Sequence, residues 1–252
     1  MTADPFVDAE TFGASTEPDL LNELRQMVIY GSSQHERTLQ RDIGPSEVGH
    51  PCLRRLALRL TKSPEINTYS DPLPSAVGTG AHAEFDTFAR RDNQRLGRTR
   101  WLPEQRVTVR PGLSGTSDLV DLDTMTIIDH KFPGTSRLHE YRSHGPSEQY
   151  RVQAHLYGRG ARNMGLPIEH VAIAFWPRGG QMKNAHLWTE PYDDELVSRQ
   201  LSRIDATLLL LDDLNVDEHP ERYQQVPATP GDCFLCPFYK RTPESPQQCE
   251  GK

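Results

Sequence analysis

Apolar residues recur along this chain with two periods, and the switches between them outline the expected elements. Leu20, Leu21, Leu24 and Val28 keep a helical spacing that predicts a helix from Asp19, closed by Gly31. A polar stretch runs to Pro45, and Ser46 is placed to cap a helix through "CLRRLALRL". Residues 63–75 hold three prolines and read as a loop. Gly78 to about Arg95 reads as a helix that buries Ala81, Phe85 and Phe88. "QRVTVR", Gln105 to Arg110, alternates as a strand does. A hairpin follows, then a helix from Pro146 to about Asn163 that Gly165 ends, then a strand from His170 to Trp176. From Asp193 a long amphipathic helix places Val197, Leu201, Ile204, Leu208 and Leu211 on one stripe.

This order, with no internal repeat, predicts one α/β fold: a mixed central β-sheet flanked by helices, with helices before it and a Cys-rich tail after it. The expected organisation is a helical extension over 1–45, a core over 46–215 and a C-terminal segment over 216–252 that packs with the Cys52 region. Hydrophobic residues make up 35% of the 252, and no run approaches the ~20 apolar residues of a membrane span. The first residues, MTADPFVDAE, lack a basic segment followed by an apolar one. The expectation is a soluble, cytoplasmic protein whose four cysteines meet a reducing environment, where metal or cluster binding is favoured over disulfides. A net charge of −7 argues against coating nucleic acid through a global positive field. A phosphate-binding surface has to be local, and basic residues do cluster at Arg54, Arg55 and Arg59, at Arg90 and Arg91, and at Arg95, Arg98 and Arg100.

The hairpin "GTSDLVDLDTMTIIDHKF", Gly115 to Phe132, is the most informative stretch. It is rich in Leu, Val and Ile, yet it carries Asp118, Asp129 and Lys131. A turn at Asp123-Thr124 pairs Val120 with Ile127, Leu119 with Ile128 and Asp118 with Asp129. Opposed residues in an antiparallel pair lie ~4.5–5.5 Å apart at Cα, so the two carboxylates repel unless something compensates them. Lys131 shares their face, but one lysine leaves a surplus negative charge. A divalent metal would neutralise it and could generate hydroxide near neutral pH, with Lys131 orienting the attacking water.

Asp118 with Asp129-His130-Lys131 resembles the PD-(D/E)xK nuclease signature. "GTGAH", Gly78 to His82, resembles the GxxxH motif of the RecB-like branch, and "QAHLY", Gln153 to Tyr157, resembles its QxxxY motif. The resemblance implies Mg²⁺ or Mn²⁺ held by His82, Asp118, Asp129 and the carbonyl of His130. It implies Lys131 acting on the water, and Gln153 and Tyr157 placing the strand. Cys52 lies ahead of these motifs and Cys233, Cys236 and Cys249 after them, an arrangement similar to the iron–sulfur exonucleases of that branch, including the CRISPR-associated family. It implies a [4Fe–4S] cluster on those four thiolates. Twelve residues separate Cys236 from Cys249, more than that family usually places there, and four thiolates also suit zinc.

The expected function is therefore a metal-dependent DNA exonuclease acting on single-stranded ends, with Arg54 and Arg55 contacting phosphates. It would work in a bacterial or phage-infected cell, alone or within a larger DNA-processing complex. The alternative is a non-catalytic DNA-binding subunit with a structural zinc or cluster.

Overall fold

A computed structural model describes residues 17–33, 42–67, 71–229, 231 and 233–251. The chain separates into two compact units, one formed by residues 1–40 with 71–76 and the other by the remainder. The described part of the first is helix α1 (Glu17–Ser33) and residues 71–76. α1 leaves Leu20, Leu24 and Met27 exposed, and Gly31 lies inside it instead of ending it.

In the second unit the expected helix through "CLRRLALRL" is split. A four-residue helix, α2 (Pro45–Val48), ends at Gly49, and α3 (Leu53–Leu60) starts after Pro51 with Cys52 as its N-cap. Ser46 thus sits within α2. The break follows from Pro51, which has no backbone donor, and from tight packing at Gly49, where a Cβ would come within 2.7 Å of Val152. Helix α4 (Leu73–Leu96) begins earlier than the prolines suggest and contains no buried residue. Phe88, expected in the core, is 48% exposed.

Strands β1 (Trp101–Arg110), β2 (Leu113–Asp121) and β3 (Thr126–Lys131) form an antiparallel meander. Helices α5 (Thr135–His144) and α6 (Glu148–Asn163) lead to β4 (His170–Phe175), which pairs parallel with β3. The edge strand β5 (His186–Pro191) is antiparallel to β4, and α7 (Asp194–Asp213) follows. The five-stranded mixed sheet has the order β1-β2-β3-β4-β5, and β3 is central. Asp193 caps α7 by accepting a hydrogen bond from Leu196 N at 2.8 Å, and Ser147 caps α6 in the same manner. The buried residues of α7 are Leu196, Val197, Ile204, Thr207 and Leu211, while Leu208 of the expected stripe is 45% exposed.

Helix α6 lies across the sheet against Val107, Val120, Ile127 and Ile173, and its other side meets Val48, Leu196 and Val197. Enclosed on both sides, it buries even Gln153 and His155. The C-terminal segment packs with the Cys52 region through a few apolar residues: Tyr223, Val226 and Phe238 are 0–3% exposed and pack with Ala57, Leu58 and Leu211. No described helix is long and apolar enough to cross a membrane.

Candidate active site

The hairpin register is as the sequence predicts: Val120 faces Ile127 and Leu119 faces Ile128. Beyond the last ladder pair, the backbone N–H of His130 donates to Oδ2 of Asp118 at 2.6 Å, so the Asp118 carboxylate caps the end of the pairing. Nδ1 of His82, on α4, stands 3.4 Å from the same oxygen.

A third donor comes from β1. Pro103 pairs with Leu119 and Gln105 with Ser117, which sets Glu104 opposite Asp118. Glu104 has a φ of +50°, a conformation that costs a non-glycine residue about 1–3 kcal/mol and clusters at functional sites. One ligand atom each from His82, Glu104 and Asp118 lies within 4.8 Å of the other two. Two carboxylates and an imidazole suit a Mg²⁺- or Mn²⁺-type ion, and the group fits one such ion.

Asp129 is 3% exposed. Its Oδ1 accepts from Gln153 Nε2 at 3.1 Å, and that amide also donates to the Tyr157 hydroxyl at 3.3 Å. Oδ2 of Asp129 has no hydrogen bond, and Lys131 Nζ stands 2.5 Å from it. The ammonium also lies 4.8 Å from the centre of the Tyr150 ring. Gly115 makes room for this arrangement, since a Cβ there would come 2.8 Å from Tyr157 Cε1 and 2.9 Å from Pro45.

Burial, and next the charge of Asp129, pushes the Asp118 carboxyl up to about 8. Lys131 moves the other way in charge. Burial opposes its ammonium most strongly, but Asp129 and Asp118 together outweigh that and raise its pKa above the ordinary lysine value. Burial lowers the imidazole of His130 to about 4; its Nδ1 accepts from Trp176 Nε1 at 3.2 Å. Burial likewise raises the Tyr157 phenol to about 12.

The four cysteines line a separate cavity of about 320 Å³ at the start of α3. Cys249 belongs to it despite its long spacing. Among the described residues, no three of these thiols lie mutually within 4.8 Å. Burial raises the thiol of Cys236. Arg54, expected to contact phosphate, is instead 8% exposed and committed to the tail. Its guanidinium donates to Val226 O at 2.9 Å, Gln224 Oε1 at 3.0 Å and Gln224 O at 2.9 Å, and it lies 3.8 Å from Cys249 Sγ. A phosphate would have to displace those bonds. Arg55 also lines the cavity and is half-buried, with no hydrogen bond at Nε.

Of the residues expected to act together, His82, Asp118, Asp129, Lys131, Gln153 and Tyr157 do converge, while Arg54 and Arg55 belong to the cysteine cavity. Glu104 is the addition. Extending the alternating pattern of β1 to pair with β2 would have placed it opposite Asp118, but nothing in the spacing marks it as a ligand.

The architecture is a mixed α/β fold with a five-stranded sheet flanked by helices. It is shared with LHK-Exo in complex with dAMP, at a TM-score of 0.50 and 15% identity, over 73% of this chain and 94% of that one. A second structure of LHK-Exo, described as an alkaline exonuclease from Laribacter hongkongensis, gives 0.48 at 16% identity over the same shares. SSO0001 gives 0.49 at 14% identity, over 87% of this chain and 94% of its own. No family model and no curated protein matches the chain.

Proposed function

We propose that this chain is a metal-dependent DNA exonuclease of the PD-(D/E)xK type. One observation carries the reading: the donors of His82, Glu104 and Asp118 converge beside a buried Asp129–Lys131 ion pair. A binding module gains nothing from three acids turned toward a polyanion. The fold shared with an exonuclease that binds dAMP supports the same conclusion.

His82, Glu104 and Asp118, with Asp129 beside them, would hold a divalent ion, which would supply Lewis acidity to a phosphoryl oxygen and lower the pKa of a water. Lys131, whose Nζ stands 2.5 Å from Asp129 Oδ2, would orient the attacking water. Gln153 fixes the orientation of Asp129, and Tyr157 fixes Gln153. Arg55, half-exposed, is the remaining candidate for a phosphate contact. Hydrolysis forms one P–O bond from water and breaks one ester P–O bond; one proton of the water ends on the leaving oxygen and the other on the new phosphate monoester, from which it exchanges with solvent.

The cysteine cavity is the second part of the proposal: Cys52, Cys233, Cys236 and Cys249 hold a [4Fe–4S] cluster. All four cysteines line one cavity although Cys52 is far from the others in the chain, which supports a shared centre on four thiolates. Mn²⁺ binding by wild type and by Asp118→Asn, read by calorimetry beside cleavage of labelled DNA, tests the metal centre. Equal Mn²⁺ affinity in the two proteins removes the ligand set and the proposal with it.

A further inference from the structure

Helix α4 buries none of its residues, yet one side of it carries three rings in succession: His82, Phe85 and Phe88. Phe85 meets His130 at 5.1 Å between ring centres, Phe132 at 5.3 Å and Trp176 at 5.1 Å, each edge to face. Phe88 tilts 48° against Phe85 at 5.7 Å and is 48% exposed. His82 joins this group to the proposed metal centre, with its ring 5.4 Å from Phe132 and its Nδ1 3.4 Å from Asp118.

Phe132 and Trp176 are the first residues past the carboxyl ends of β3 and β4, the two parallel neighbours of the sheet. In open α/β sheets that end is where ligands bind. Beside the rings stands Arg178, which is exposed. Its Nε donates to Phe132 O at 3.1 Å and its backbone N–H to Pro133 O at 3.0 Å. Its terminal guanidinium nitrogens have no hydrogen bond among the described residues, so a cation is held next to half-exposed π-faces.

We propose that Phe85, Phe88, Phe132 and Trp176 form the seat on which an unpaired base next to the scissile phosphate stacks, with Arg178 meeting the adjoining phosphate. This rests on the nuclease reading and names its substrate class, a single-stranded DNA end. Every base has a π-face, so such a seat grips a strand without reading its sequence. A base within a duplex has both faces covered by its neighbours and cannot use it. The rival account makes the rings a packing patch that fastens α4 to the sheet and touches no DNA.

The test couples a protein change to a substrate change. Binding of a dye-labelled single-stranded oligonucleotide is measured by anisotropy in Ca²⁺, with an ordinary or an abasic terminal nucleotide at each end in turn. Wild type loses affinity on the abasic strand by roughly 5- to 150-fold, the span of base–aromatic stacking. Phe88→Ala, at an exposed position where folding is not at stake, binds the ordinary strand more weakly and responds less to base removal. Phe88→Trp restores both. Equal sensitivity to base removal in wild type and Phe88→Ala overturns the seat. Cleavage in Mn²⁺ is followed in parallel. Coupled binding without hydrolysis keeps the seat and removes the nuclease reading, and hydrolysis without coupling does the reverse. A protein that neither binds nor cleaves loses both.

Discussion

Oδ2 of Asp118 accepts a hydrogen bond from the backbone N–H of His130 at 2.6 Å, across the end of the β2–β3 ladder. That bond pins one carboxylate of the hairpin facing the other and leaves the pair in need of positive charge. Burial and Asp129 together shift Asp118 up to about 8, so at neutral pH the metal-free fold works against its ionisation.

Replacing that acid with its neutral isostere therefore has a definite sign. A carboxyl whose folded pKa lies above its unfolded value lowers stability at every pH above the unfolded one, and the penalty fades as pH falls below it. Asp118→Asn keeps the shape and the bond from His130. Thermal melts in chelator at pH 7 should show it more stable than wild type by a few degrees, with cleavage abolished. A lower melting temperature would make the carboxylate a structural ion-pair partner instead.

Lys131 has the opposite character. Oδ2 of Asp129 has this ammonium and no hydrogen bond. Removing one partner of a buried pair costs about 3–5 kcal/mol, because the other charge is left uncompensated. Lys131→Ala should melt well below wild type in chelator and recover more than wild type on adding Mg²⁺, which can replace the lost charge. Equal responses to Mg²⁺ would place the ion away from Asp129.

Glu104 separates ligation from strain. With φ at +50°, glycine suits the position better than glutamate does. Glu104→Gly should raise metal-free stability while weakening Mn²⁺ binding, and Glu104→Gln should weaken binding without the gain. Calorimetric titration and melts on the same samples read the two effects separately.

Gly115→Ala tests the packing behind Gln153 and Tyr157. The added methyl meets Tyr157 Cε1 at 2.8 Å and Pro45 at 2.9 Å, neither of which can retreat freely. Overpacking of this kind costs about 1–3 kcal/mol. A loss of turnover beyond the loss of folded protein is expected, because the Tyr157–Gln153–Asp129 chain shifts with the ring.

For the cysteine cavity, anaerobically purified protein should be brown and carry about four irons per chain, as a cubane on four thiolates requires. Each Cys→Ser variant, Cys249 included, should lose iron. Protease sensitivity of the tail, where Tyr223, Val226 and Phe238 are buried, should rise in each variant that loses iron. One tightly bound zinc per colourless chain would replace the cluster.

Much of this was legible in the residues. The alternation through Val120 and Ile127 set the register that brings Asp118 to Asp129, and the i, i+4 spacing put Gln153 and Tyr157 on one helix face, where Gln153 reaches that carboxylate and Tyr157 reaches Gln153. Glu104 escaped because its role comes from a bend in β1, where a left-handed residue breaks the pattern. β5 escaped because Leu187, its clearest apolar residue, is 61% exposed, and α5 because it buries Leu138 alone. Arg54 looked like a surface cation beside Arg55, but its partners lie some 170 residues away in the chain, and no local pattern reports them.

The most direct test is cleavage of single-stranded DNA, labelled at either end, by wild type and by Lys131→Ala. Wild type with Mn²⁺ should release mononucleotides from one end and nothing in chelator. Lys131→Ala should bind the strand and release none. Release at the wild-type rate by Lys131→Ala, or by wild type in chelator, would contradict a metal-dependent nuclease centred on this hairpin.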